Sequence, residues 1–281
     1  MAASENNFSA HRFCASAAIG GAGPLRPPAK RLETGMDTLS VPAIEPPPCP
    51  ACGKPPALCV CEGIEPLDSK LALLILQHPQ EQDRLLGSAR LAALHLKNAT
   101  FRIGLSWPSL SKALGREVDP ARWAILHLGA TRAADLPKDR EIVALDKKGA
   151  PLPDQDRALA GLQGVVIFDG TWAQAKTLWW RNGWVLKARR IALSPRRGSL
   201  YGKLRREARR EGLSTLEAAA LTLSRLENRP EIETAMLSSF SKMLERYKAS
   251  DYAQDAARPA AKRGGGRRGG SGGGGNSPGR P

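Results

Sequence analysis

No apolar run in this 281-residue chain approaches the ~20 residues that span a bilayer. No basic segment leads into an apolar core, as it would in a secretory signal. The chain therefore reads as soluble and cytoplasmic, with no membrane partner. Three glycine-based signatures are also missing. No Gly-x-Gly-x-x-Gly follows the first predicted strand, which argues against a Rossmann nucleotide site. No Gly-x-x-x-x-Gly-Lys-Ser/Thr loop occurs, which argues against an NTPase. No Gly-x-Ser-x-Gly string sits at a predicted strand–helix elbow, which argues against an α/β-hydrolase. Internal repeats are absent. Cysteine is scarce: there are five, Cys14 stands alone and the other four are clustered, which is no secreted disulfide framework.

What is abundant is positive charge. The formal net charge is +15 and the pI is about 10.1, which points to a polyanionic partner. No strongly amphipathic basic helix stands out, so nucleic acid fits better than a membrane surface. Part of the excess lies in a Gly-rich, acid-free stretch from Arg258. Another part, Arg189 to Arg210, lies within the folded region. Hydrophobic residues make up 42%, enough for a core.

The four clustered cysteines read Cys49-Pro-Ala-Cys52 and Cys59-Val-Cys61. Thiolates at these spacings can converge on one tetrahedral Zn²⁺, with Gly53 and Pro55-Pro56 shaping the turn between the pairs. Six residues between the pairs make a compact knuckle. A Cys₄ site is coordinatively closed, so its role is structural or RNA-facing.

Leu71 to Gln77 reads as a strand ending at His78-Pro79, followed by an amphipathic helix from Glu81 to Asn98. Phe101 to Trp107 and Trp123 to Leu128 read as further strands, and Glu141 to Leu145 as an edge strand. Gly164 to Phe168 is a β-branched apolar run, as in a strand buried on both faces. Helix formers follow from Ala173. Asp169 thus falls where a buried strand ends and a helix begins, at the edge where open α/β sheets bind ligands. It has two readings, a helix cap or a carboxylate facing a ligand. Ile191 to Leu193 is a short strand. Ser214 to Glu217 is a capping box opening a long helix, and Ile232 to Tyr247 is a last helix. Strands alternating with helices imply an α/β fold with a mostly parallel sheet.

The string Asp169-Gly170-Thr171-Trp172 resembles the signature of the DTW-domain proteins, the tRNA-uridine aminocarboxypropyltransferases. His78-Pro79-Gln80-Glu81 with Arg84, the cysteine cluster and Ser214-Thr215-Leu216-Glu217-Ala218 match other family segments in the same order, from about Cys49 to about Tyr247. The resemblance implies a SPOUT-like α/β fold with a C-terminal knot. It implies four parts: a disordered extension (1–48), a Cys₄ zinc knuckle (49–65), the catalytic domain (66–250) and a disordered Gly/Arg-rich tail (251–281). Met36 is an alternative start.

The implied reaction moves the 3-amino-3-carboxypropyl group of S-adenosylmethionine to N3 of a tRNA uridine, forming acp3U and methylthioadenosine. Asp169 is the expected catalytic carboxylate. Leu128, Gly129, Gly170, Thr171, Trp172, Leu193, Ser194, Ser214 and Thr215 are expected to hold the cofactor; Trp172 reads equally as a core anchor. Cations with an aromatic among them suit an RNA strand, so Arg84, Arg196, Arg197, Tyr201, Lys203 and Arg205 are expected to bind RNA. Cys49, Cys52, Cys59 and Cys61 are the expected Zn²⁺ ligands. Two other readings stay open: a SPOUT-type RNA methyltransferase, and a non-catalytic zinc-knuckle RNA-binding protein. The modified position and an rRNA substrate are also open.

Overall fold

A computed structural model describes residues 46–127, 136–204 and 212–257. The expectations for the N-terminal extension through residue 45, for the tail from residue 258, and for Leu128, Gly129 and Arg205 lie outside these residues.

Six strands form one sheet among the described residues: β1 (Ala72–Gln77), β2 (Ala99–Ile103), β3 (Trp123–Leu126), β4 (Ile142–Leu145), β5 (Gly164–Asp169) and β6 (Arg189–Leu193). Their order is β2-β1-β5-β3-β6-β4. Every neighbouring pair is parallel except β4 with β6, which is antiparallel and closes the edge. The mostly parallel α/β class expected from the sequence is the one observed.

The central strands alternate between two cores, as a sheet covered on both faces must. Leu73, Ile75, Val165 and Ile167 face one layer, built by α1 (Ala89–Leu94), α5 (Thr215–Glu227) and α6 (Pro230–Ala249). Leu74, Leu76, Val166 and Phe168 face the other, built by α2 (Leu110–Leu114) and α4 (Trp172–Arg181). Of the remaining described helices, α3 (Gln155–Leu159) lies against β4 and α7 (Asp251–Ala257) against α6. On α6, Ile232, Met236, Phe240, Met243, Leu244 and Tyr247 are buried at helical spacing. β5 opens with glycine for a steric reason. A Cβ on Gly164 would sit 2.5 Å from the Trp123 ring and 2.6 Å from the Ala72 carbonyl.

The helix expected over Glu81–Asn98 is shorter. Pro79–Glu81 is a 3₁₀ turn, and α1 begins only at Ala89. Ala89, Ala92 and Leu96 are buried as the pattern required, but the stretch before Ser88 is loop. That loop is held by tertiary bonds, described below, which outweigh helix propensity. The strand expected over Phe101–Trp107 ends at Ile103, and Gly104 packs under the Trp107 ring.

One buried pair ties α1 to α6. His95 Nε2 lies 2.6 Å from Ser239 Oγ, which is also within hydrogen-bond distance of the Met236 carbonyl at 3.0 Å. The imidazole Nδ1 is buried without a partner among the described residues. Burial pushes the His95 pKa down to about 4. The unfolded chain binds this proton near pH 6.5 and the folded one only near 4. Stability from this group is thus complete above pH 6.5 and is lost as pH falls from 6.5 to 4. Between pH 7.5 and pH 5 the wild type should lose about 1–2 kcal/mol through His95. Urea unfolding of His95→Gln at both pH values should show a smaller loss; equal losses would contradict this.

Candidate functional site

β5 delivers Asp169 to the carboxyl edge of the sheet, in register with Gln77 at the end of β1. The carboxylate is tethered from both sides. Oδ2 accepts from Gln77 Nε2 at 2.8 Å, and Oδ1 accepts from the Thr215 hydroxyl at the start of α5. The Asp169 carbonyl accepts from the His78 amide at 2.9 Å. These bonds fix the carboxylate's direction and leave it further lone pairs. Gln77 itself is 3% exposed, and its Oε1 has no partner among the described residues. A buried amide oxygen without a donor is costly unless a ligand supplies one. The strand tip is therefore rich in acceptors.

Asp169 does not cap α4. Thr171 does: its hydroxyl accepts from Gln174 N at 3.4 Å, and Gln174 Oε1 accepts from Thr171 N at 2.6 Å. This capping box frees Asp169 for another role. Gln174 also reaches Gln80 Oε1 at 3.2 Å, joining α4 to the loop after β1. Gly170 is required by this arrangement, since a Cβ there would lie 2.9 Å from Gln174 Cβ. Trp172 is half-buried at the first position of α4. Trp179 packs edge-on to Phe168 and His127 and carries the Arg190 guanidinium 5.5 Å over its ring.

Ser214 caps α5 and Glu217 closes the box. Glu217 also accepts from Ser199 Oγ and from the Leu200 amide, both at 2.7 Å, binding the loop after β6 to this helix. The Leu216 amide donates to Ser88 Oγ at 3.2 Å and the Glu217 amide to Ser214 Oγ at 3.2 Å. Amides of this first turn thus have protein partners. Thr215 faces the site through its hydroxyl. Leu193 and Ser194 are half-buried at the end of β6, two strands from β5 in the sheet. The structure brings Asp169, Gly170, Thr171 and Thr215 together.

The expected RNA-facing residues separate. Arg84, Arg196, Arg197 and Lys203 are exposed. Tyr201 is corrected: it is 2% exposed, its ring packs edge-on to Phe240 at 5.1 Å, and its hydroxyl donates to the Leu86 carbonyl at 2.5 Å. A ring enclosed this way holds the loop before α1 and cannot stack on a base. Arg196 and Arg197 line a cleft of about 680 Å³ together with Glu141, Arg225 and Glu233. Arg197 pairs with Glu233, and Arg225 pairs with both Glu141 and Glu233 at 2.7 Å. Desolvation raises the Glu141 carboxyl, but bonds from Arg225 and Arg196 outweigh it and the net direction is down. This cleft is of mixed charge.

The four cysteine sulfurs lie within 4.8 Å of one another. Cys49 and Cys61 are 3.9 Å apart, and Cys52 and Cys59 are 3.8 Å apart. A tetrahedral ion with bonds of about 2.3 Å sets its sulfurs about 3.8 Å apart. The cluster therefore has the dimensions of a single-ion site and not of a disulfide. It is joined to the rest of the domain at two points. Arg246 of α6 donates to the Cys59 carbonyl. Lys54, buried at 6% exposure, donates from Nζ to the Arg84 carbonyl at 2.7 Å. Burial lowers the Lys54 pKa to about 8. Neither Gln77 nor Lys54 was expected as part of a site. Gln77 left one signal, a lone amide ending an apolar strand; Lys54 left none.

A sequence model of the DTW domain matches residues 46–248. The chain is 29% identical over 206 residues to tRNA-uridine aminocarboxypropyltransferase 2 of Macaca fascicularis, covering 70% of this chain and 62% of that protein. It is 30% identical over 196 residues to the Mus musculus protein of the same name, covering 68% and 60%. The Drosophila melanogaster protein of that name is 28% identical over 193 residues, covering 67% and 70%. The chain thus spans about three fifths of the length of its two mammalian relatives. No solved structure gives a significant match. With the Asp169 tip, the cysteine cluster and the α5 capping box all inside the matched span, the chain belongs to the DTW-domain family.

Proposed function

We propose that this chain transfers a 3-amino-3-carboxypropyl group to N3 of a uridine in tRNA, giving acp3U. The observation that carries the reading is the tethered carboxylate: Asp169 held by Gln77 and Thr215, beside a buried acceptor at Gln77 Oε1. Such a tip suits partners that bring N–H groups, as a uracil N3–H and an α-ammonium both do. The names of the relatives support the same chemistry.

S-adenosylmethionine, when bound, supplies a sulfonium-activated carbon and leaves as methylthioadenosine. Asp169 takes the N3 proton, directly or through water, as the N3–carbon bond forms and the carbon–sulfur bond breaks. The electron pair of the broken bond stays on sulfur. Gln77 and Thr215 keep the carboxylate aimed, and Gly170 lets the chain turn tightly into α4 beside it. Three carbons share the sulfonium sulfur, so the choice among them rests on placement. Gly170, Thr171, Trp172, Leu193, Ser194 and Ser214 remain the residues we assign to donor binding, with Leu128 and Gly129. Arg84, Arg196 and Lys203 are our candidates for RNA contact, with Arg205.

Zn²⁺ is our assignment for the cysteine cluster, because four sulfur ligands at this separation match it. A SPOUT-like knotted topology is our reading of the C-terminal part. It is supported by β3 lying between β5 and β6, and by α5 returning to the β5 tip after β6. Nucleoside mass spectrometry of tRNA from cells with and without the protein tests the activity. acp3U should vanish in its absence. Unchanged acp3U with loss of a methylated nucleoside would mean a methyltransferase instead.

A further inference from the structure

Trp180 is the penultimate residue of α4, and its side chain is 80% exposed. Its neighbour Trp179 packs inward on Phe168, so the two aromatics have opposite fates. Ala173, Lys176, Thr177 and Trp180 recur at three- and four-residue spacing and share the outer side of the helix. Ala175 and Leu178 are buried on the inner side. The 3₁₀ turn Gly183–Lys187 that follows adds Leu186, 57% exposed, and an exposed Lys187. Among the described residues, Lys176, Arg181 and Lys187 make no ion pair. From Gly170 to Arg206 the sequence holds ten Lys or Arg and no Asp or Glu.

A large ring in solvent within an acid-free basic stretch complements one class of partner: a polyanion that carries planar groups. Unpaired RNA is that partner, since its bases stack on aromatics and its phosphates meet the cations. A second copy of the chain fits poorly, because the contact would oppose two basic surfaces. α4 begins three residues after Asp169, and a rise of 1.5 Å per residue puts Trp180 about 12 Å along the axis from Trp172. The Asp169 carboxylate bonds Thr215 of α5 on the sheet face opposite α4, so a tRNA whose uridine reaches Asp169 meets α4 with a separate part of its length.

We propose that the outer side of α4 and the turn after it form a tRNA-docking platform. Trp180 stacks on an unpaired base of the tRNA away from the modified uridine, and Lys176, Arg181 and Lys187 neutralise phosphates. This inference rests on the reading of tRNA as substrate.

The test uses the full chain as wild type, Trp180→Ala, Trp180→Phe and the double variant Lys176→Ala/Lys187→Ala. tRNA affinity is measured from 50 to 200 mM salt, with sedimentation velocity on each protein. Trp180→Ala should weaken tRNA binding about tenfold with an unchanged salt slope, and Trp180→Phe should recover most of it. The lysine pair should lower the slope by about 1.4. If the wild type binds and modifies tRNA but Trp180→Ala binds equally well, the platform is wrong and the enzymatic reading stands. If the wild type binds no tRNA, both fall together. If Trp180→Ala instead dissociates an oligomer, the surface joins copies of the chain and the platform is again wrong.

Discussion

Replacing Asp169 with alanine is expected to slow transfer to tRNA by about 10²–10⁴-fold, the usual worth of a positioned acid–base group. The fold should survive. Asp169 is half-buried at a strand tip, and Thr171 with Gln174 caps α4 without its help. Its loss does leave Gln77 Nε2 and the Thr215 hydroxyl without their acceptor, which costs about 1–3 kcal/mol. Asp169→Asn should also fail. Both tethers donate to this group, and a carboxamide must turn an NH₂ toward one of them. Thr215→Val keeps the charge and loosens one tether, so its deficit should be smaller than that of either. Single-turnover rates with tRNA, paired with melting temperatures, check the series. Wild-type rates in a folded Asp169→Ala protein would remove the assignment.

The second large effect concerns the cysteine cluster. Purified protein should carry about one zinc per chain, and Cys52→Ser/Cys61→Ser should carry almost none. Residues 49–63 have only two short 3₁₀ turns and few buried side chains, chiefly Cys52, Leu58 and Val60. Such a segment lacks a core of its own, so the ion's binding energy becomes folding energy. Loss of the metal should lower the melting temperature by about 10 °C. The effect should also reach turnover. Lys54 holds the Arg84 carbonyl from within the knuckle, and Arg84 belongs to the loop that starts at His78, beside the Asp169 carbonyl. Lys54→Met in zinc-loaded protein should reproduce the loss of turnover without the loss of metal. Elemental analysis showing no zinc in the wild type, or equal zinc in the serine variant, would contradict the site.

The parts legible in the sequence were those governed by local rules. Runs such as Leu73–Leu76 and Val165–Phe168 announce two-faced burial through composition alone. The Cys-x-x-Cys and Cys-x-Cys spacings fix where four thiols meet, because so short a turn has few ways to close. The capping box at Ser214 is a three-residue rule, and it appears as written. What was hidden depends on contacts between distant segments. The apolar positions of Glu81–Asn98 kept helical spacing, yet its first half is held as a loop by Lys54 and Tyr201. Tyr201 sits in a basic run that resembles an RNA contact, and only the packing of α6 shows its ring against Phe240. Gln77 and Thr215 are 138 positions apart and meet at one carboxylate through the sheet register and the return of α5. Trp179 and Trp180 cannot be told apart by composition, although one packs half-buried against Phe168 and the other faces solvent.

The decisive measurement is the fate of two isotopic labels in a reaction of the full chain with unmodified tRNA. S-adenosylmethionine is labelled in one sample on the carboxyl-bearing chain and in the other on the methyl group. The expected result is label in tRNA from the first sample only, with methylthioadenosine released mole for mole. Methyl label in tRNA, with S-adenosylhomocysteine as the product, would contradict it.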